Sequence, residues 1–432
     1  MQLRHRMPRA VLVLLAFCTL RSGAGAQVTN AVRFADVVTI TGDDLAVLAG
    51  IRVDHLAVLA CQQRTGDPLC EPIPFQVDEV DAGGNWVLDQ GPHPNVDDPP
   101  GVLDANDRLL FMVTDAGERV RSGDILSRSP VQEISVRDPL SGTTRWAYAV
   151  GYPEVAPRST RAYVAYDAAT DRVRGERVTL GFRHGVPGYL ALEGDTGAGL
   201  LDRFKVRATA TFLWGLVHFS RNEDDVTTEF VAWRQGPIRV IRRQRQWVRI
   251  GWGIHSPTFG SYTYFYRDFA ELPVGLYLNF PPTYFFGDID VRTFLDFRDL
   301  RGWSLLLPNV PEPVPIDGAM TAEKEALNQL TATWFALRGP QITLVQALDV
   351  GQSLASVRRR ILYRESPTDA ERPEDIPGEE PAVGYRLDRW DHVRAGSHQL
   401  ASTSYALPAN VDVYQFMQAR RTPLQVTVQA LR

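Results

Sequence analysis

Arg203-Phe-Lys-Val-Arg-Ala-Thr-Ala-Thr-Phe212 decides the fold class, because its polar and apolar side chains alternate without a break. A period of two sends successive side chains to opposite faces of an extended chain, so this stretch reads as a strand. The same alternation appears at Arg161-Ala-Tyr-Val-Ala-Tyr166 and at Gln425-Val-Thr-Val428. Between such runs the 34 glycines and 29 prolines recur at short spacing, which is the punctuation of a sandwich or barrel. The sequence therefore predicts a mostly β protein of antiparallel sandwich architecture with few helices.

One helix is expected between Thr321 and Leu337. Thr321 is a suitable N-cap, Glu323 and Glu325 follow in the first turn, and Leu327, Leu330, Trp334 and Leu337 recur every three or four residues. Two stretches read as linkers or long loops, Pro153 to Thr160 and the Pro- and acid-rich Glu365 to Pro381. They suggest an N-terminal β domain over 27–155 and a large C-terminal β-sandwich domain over 160–432. The second unit is long for an immunoglobulin-like sandwich. In strand density and aromatic content, with Gly236-Pro237-Ile238-Arg239-Val240 opening a long strand, it resembles the super-sandwich of mutarotase-like and polysaccharide-lyase proteins. The resemblance implies a large two-sheet body. No catalytic motif of those families matches, so it assigns no residue a role.

The first 26 residues have the three parts of a secretory signal. Arg4, His5, Arg6 and Arg9 are followed by the apolar run Ala10–Leu20 and by small Ala24-Gly25-Ala26. The chain is thus expected to be exported, periplasmic or extracellular, with no transmembrane segment once the signal is removed. A composition of 44% hydrophobic and 22% charged residues excludes disordered and collagen-like classes. A net charge of -5 leaves no electrostatic footprint for nucleic acid. Lys205 and Lys324 are the only lysines, so nearly all positive charge is Arg. Beyond the signal only Cys61 and Cys70 remain, flanking Thr65-Gly66-Asp67-Pro68, and an oxidising compartment predicts a hairpin disulfide between them.

Four groups of residues could carry function. In the acidic stretch Asn95 to Asp107, setting Gly101 as the sixth position of a calcium loop places Asp98, Asp104 and Asp107 at ligand positions. Val96 and Pro100 stand where two further ligands belong, so upstream Asp78, Glu79, Asp81 or Asp89 would have to complete the shell. The alternative is an acidic surface loop with no cofactor. In the strand Ile238 to Ile250, alternation puts Arg239, Ile241, Arg243, Arg245, Trp247 and Arg249 on one face. Guanidinium groups around an indole suit carboxylates or sulfates of an acidic glycan. The alternative is a solvated face paired with Asp224, Asp225 and Glu229.

The third group is aromatic. Tyr262, Tyr264 and Tyr266 alternate onto one face, as a platform for sugar rings or as core filling. The fourth is histidine. His184, His218 and His255 are candidate general bases, while the absence of His-x-x-x-His and Cys-His patterns argues against zinc. No Gly-x-Ser-x-Gly, P-loop or dinucleotide fingerprint occurs, against α/β hydrolases, kinases and Rossmann enzymes. An outer-membrane barrel is disfavoured by arginines on both faces of the 238–250 strand. The expected function is glycan binding or processing outside the cytoplasm, directed at an acidic polysaccharide. A carbohydrate-active enzyme such as a lyase is the catalytic version. The alternative is a non-catalytic component of an envelope or surface assembly, calcium-stabilised, with an envelope protein as partner.

Overall fold

The computed structural model describes residues 32–431, except 66, 98, 122–129, 196, 213–214, 252–253, 257 and 369. The signal-like segment 1–26 and Asp98 therefore lie outside the described residues. The architecture is mostly β, and every strand pair described is antiparallel. This is the sandwich class that the period-two stretches predict. Leu201–Phe212 and Gln425–Ala430 are strands, whereas only Ala165–Asp167 of the third alternating stretch pairs with a neighbour.

The first part of the chain builds two sheets around one core. A three-stranded sheet runs Val37–Thr41, Arg108–Met112, Phe75–Asp78. A five-stranded sheet runs Gln425–Ala430, Val131–Arg137, Thr144–Gly151, Leu56–Gln62, Leu69–Pro72. Val38, Ile40, Phe75 and Phe111 of the first pack on Leu56, Val58, Ile134 and Ala149 of the second. The Cys61–Cys70 disulfide closes the last hairpin of this sheet, where the two residues pair in register. The edge strand Gln425–Ala430 comes from the far end of the chain and pairs along Val131–Arg137.

The rest of the molecule is organised by a ten-stranded sheet, and each of its faces is covered differently. One face carries Leu305, Leu307, Phe335, Leu337 and Leu348, which pack on Leu201, Phe297, Ile361, Val383 and Leu387 of a second five-stranded sheet. The same face carries Val240 and Phe265 against Val173 of a four-stranded sheet and Val164 just before it. On the other face the helix Val413–Arg421 lays Phe416 and Met417 over Trp334, Val345 and Leu407. Asp412 caps this helix by accepting from the Gln415 amide.

The helix expected over Thr321 to Leu337 is corrected. Thr321 does cap a helix, accepting from the Lys324 amide, but it spans only Ala322–Ala326 plus the single 3-10 turn Leu327–Gln329. Trp334–Arg338 is instead a strand paired with Ile342–Val350. Trp334 and Ala336 point into one core and Phe335 and Leu337 into the other. A strand buried on both faces is apolar throughout, so it contains any spacing, including a helical one.

Candidate functional site

The second face of the ten-stranded sheet gathers most of the candidate Arg and Tyr residues. Val240–Gly251 and Phe259–Phe265 pair so that Ile241 lies opposite Tyr264 and Arg243 opposite Tyr262. Phe269–Leu278 continues the row with Glu271 opposite Tyr264, and Gly396–Pro408 adds Thr403 opposite Glu271. One line across the pleat therefore reads Ile241, Tyr264, Glu271, Thr403. The neighbouring positions Arg243 and Tyr262 extend it toward the strand end.

The loop after Asp78 covers part of this row. Gln90 and Trp233 exchange backbone hydrogen bonds, and the His93 amide donates to the Val231 carbonyl, so the loop is docked on the sheet edge. Trp86 projects from it and donates Nε1–H to the Tyr264 hydroxyl at 2.8 Å, its ring edge-on to the phenol at 81°. Tyr262 and Tyr264 stack at 6.4 Å with 15° between their planes. Burial raises both phenols above the usual tyrosine range, so both stay protonated at neutral pH.

Beneath Trp86 lies Arg239, only 6% exposed. Its Nε donates to Asp78 Oδ2 at 2.7 Å and Nη1 to the Tyr266 hydroxyl at 2.9 Å. The guanidinium stands 4.8 Å from the rings of both Trp86 and Tyr264. Burial works against its charge, but the Asp78 carboxylate and Tyr266 hold it above the usual arginine value. Arg239 and Tyr266 are thus buried supports of the face rather than contact residues. Arg242 points to the opposite face, 1% exposed, paired with Asp171 and 3.8 Å from the Phe182 ring.

Arg243 differs from its neighbours. Arg245 pairs with Glu229 at 3.8 Å and Arg249 with Asp225 at 2.8 Å, the pairing with nearby acids that the sequence offered as an alternative. Arg243 is half-buried, 5.5 Å from the Tyr262 ring, and among the described residues has no carboxylate partner within 4 Å. Trp247, opposite Thr227, is half-buried near the far end of the strand.

Glu271 was not apparent from the sequence. It is half-buried, and burial raises its carboxyl, with the charges of Arg239 and Arg420 pulling the other way. Beyond it lies Tyr405, pushed up to about 12 by burial. A half-buried acid therefore stands beside a row of protonated phenols and an indole. Together they offer ring surface and, among the described residues, one guanidinium without a carboxylate partner, while the Tyr262 hydroxyl is buried and the Tyr264 hydroxyl is bonded by Trp86.

The remaining candidates lie elsewhere. His184, in a turn with φ 52°, His218 in Val217–Asn222 and His255 in Ile254–His255 are exposed and sit on three separate hairpins. In the acidic segment Asp104 and Asp107 come together with Asp97, one oxygen of each within 4.8 Å of the others. Burial pushes Asp107 up to about 6. The upstream acids are engaged: Asp78 by Arg239, Glu79 by Arg234 and the Gly101 amide, Asp81 by Asn85 and Asn95. Asp78 was legible only as an acid upstream of the calcium-like loop, and Trp86 carried no signal, because nothing in the sequence shows which strand a loop covers.

Among the described residues no helix is long and apolar enough to cross a membrane. No family model matches the chain, and no curated protein matches it by sequence. A solved structure does share its fold. An α-mannosidase from Enterococcus faecalis V583 superposes with a TM-score of 0.50 and 10% identity over 92% of this chain and 44% of that one. A glycosyl hydrolase family 38 protein from Enterococcus faecalis gives 0.45 and 10% over 90% of this chain and 49% of its own. An α-N-acetylgalactosaminidase from Bifidobacterium bifidum gives 0.30 and 15%, over 62% and 38%. The chain spans less than half the length of each of these proteins, and what it shares with the first is the β fold.

Proposed function

We propose that this chain is an exported carbohydrate-binding protein that takes an acidic glycan on the Tyr–Arg face of its ten-stranded sheet. The observation that carries the reading is Arg243, a guanidinium without a carboxylate partner among the described residues, set in register beside the stacked Tyr262–Tyr264 pair. Aromatic faces suit sugar rings, and a guanidinium without a carboxylate partner suits a uronate or sulfate. The Cys61–Cys70 disulfide supports export, since such bonds persist in oxidising compartments. The test is an array of neutral and acidic glycans, with Arg243→Ala and Tyr262→Ala as variants. Binding to acidic glycans that weakens about tenfold or more in Arg243→Ala supports the reading. Absence of binding, or binding indifferent to both variants, overturns it.

A second reading, a component of an envelope assembly, is favoured by the exposed rings of Tyr277, Phe280, Tyr284 and Phe285. It requires that Tyr284→Ser with Phe285→Ser abolish the assembly while glycan binding is unchanged.

A further inference from the structure

Far from the Tyr–Arg face, four carboxylates converge beneath the loop that joins Arg358–Ser366 to Glu379–Asp388. Asp202 belongs to Leu201–Phe212 and Asp296 to Phe286–Phe297, which pair with each other. The register shifts between Leu201 and Arg203, so Asp202 sits in a bulge. A bulge re-aims a side chain that regular pleating would point elsewhere. Glu374 descends from the loop and Glu379 opens the next strand.

The cations in contact with this cluster do not balance it. Lys205, fully buried, reaches Asp296 at 2.7 Å, Glu374 at 2.6 Å and Glu379 at 3.6 Å. Arg364 reaches Glu379 at 3.1 Å. Arg203 is taken by Glu223, Asp224 and Asp375, and Arg207 by Glu223 and Glu371. Arg298, whose charge also acts on Asp202, bonds the Leu201 carbonyl. Among the described residues, four acids thus face two contacting cations.

The oxygens themselves point the same way. Asp296 is 0% exposed, and with Oδ2 on Lys205 its Oδ1 has no hydrogen-bond partner. Asp202 is 6% exposed; Oδ2 accepts from the Ile376 amide at 3.2 Å, and Oδ1 has no hydrogen-bond partner. Buried carboxylate oxygens without a donor are costly unless something positive meets them. One oxygen from each of Asp202, Asp296 and Glu374 lies within 4.8 Å of the other two. That separation fits oxygens sharing a cation at about 2.3–2.6 Å, the range of calcium.

We propose that Asp202, Asp296 and Glu374 form a site for a hard divalent cation of the calcium type, which ties the 367–378 loop to the sheet beneath it. The donors are all oxygen, and two excess negative charges match a divalent ion. Lys205 stays outside the coordination shell and neutralises the remaining acids.

The test is calorimetric titration of chelator-treated full-length protein with calcium chloride, and with magnesium chloride in a second arm. Asp202→Asn is the main variant because Asp202 is not ion-paired with Lys205, and near-ultraviolet circular dichroism checks that it folds. Glu374→Gln serves if it does not. The expected result is a saturable calcium site in the wild type that is lost, or weakened at least about tenfold, in the variant. Loss of one equivalent there supports the proposal whatever Asp104→Asn does at the other acidic cluster. Unchanged stoichiometry and affinity in Asp202→Asn and Glu374→Gln, or no binding of either ion by the wild type, overturns it.

Discussion

Asp78 and Arg239 form a buried ion pair, 0% and 6% exposed, that joins the three-stranded sheet to the ten-stranded one. Gln76, two residues before Asp78, reinforces the junction by accepting from the amides of Ile238 and Arg239. Removing one member of such a pair leaves the other charge buried and alone. Asp78→Ala is therefore expected to lower stability by about 3–5 kcal/mol. Urea unfolding followed by circular dichroism measures it; a loss under about 1 kcal/mol would mean that water reaches the guanidinium.

Trp86 and Tyr264 meet through one hydrogen bond, with the indole donating. Trp86→Phe keeps a ring over Arg239 but leaves the Tyr264 hydroxyl without its donor. The expected loss is about 1 kcal/mol, the net worth of a neutral hydrogen bond. Adding Tyr264→Phe should recover part of it, because the orphaned hydroxyl is then gone. A double-mutant cycle without coupling would show that the bond is not formed in solution.

Glu271 should make stability depend on pH with a defined sign. Burial raises its carboxyl above the usual 4.5, so as pH rises the unfolded chain loses this proton first. Between the two values the folded state holds more protons, and stability falls across that window. Below the unfolded value the group contributes no penalty. Glu271→Gln cannot ionise, so its stability relative to the wild type should climb as pH rises above the usual 4.5 and level off beyond the raised folded-state value. A difference that stays flat over that range refutes the shifted carboxyl.

The Cys61–Cys70 bridge closes a loop nine residues apart in sequence. Loop-closure entropy gives such a bridge about 2–3 kcal/mol. Thermal melting of Cys61→Ser with Cys70→Ser should show that loss as a lower Tm, and the same shift should follow reduction of the wild type. Equal melting with and without reductant would mean that the bond does not form.

The strands were readable where one face meets a core and the other meets water or polar partners, as in Leu201–Phe212. They were not readable where both faces are buried, and Trp334–Arg338 was mistaken for helix for that reason. Alternation puts Arg243 and Arg245 on one face of Val240–Gly251 and Tyr262 and Tyr264 on one face of Phe259–Phe265, while Arg239 and Tyr266 fall just outside these strands. Register, which sets Arg243 beside Tyr262 and Glu271 beside Tyr264, depends on strand pairing that no single stretch encodes. Burial was invisible too: alternation grouped Arg239 with Arg243, yet Asp78 and Trp86, distant in sequence, seal the first and leave the second open.

The pairing of Gln425–Ala430 with Val131–Arg137 bears on how the molecule can be made. Synthesis proceeds from the N-terminus, so the sheet begun by Leu56–Gln62 waits for Gln425–Ala430, far downstream in sequence, before its outer edge is covered. Arg33 is held in the same way, donating to the carbonyls of Ala419 and Thr422. Until those residues emerge, Val131–Arg137 presents open backbone groups of the kind that recruit stray strands. Deleting Gln425–Ala430 should therefore harm solubility and yield more than the loss of one exposed strand would suggest, and a holding chaperone would find its natural target at that edge.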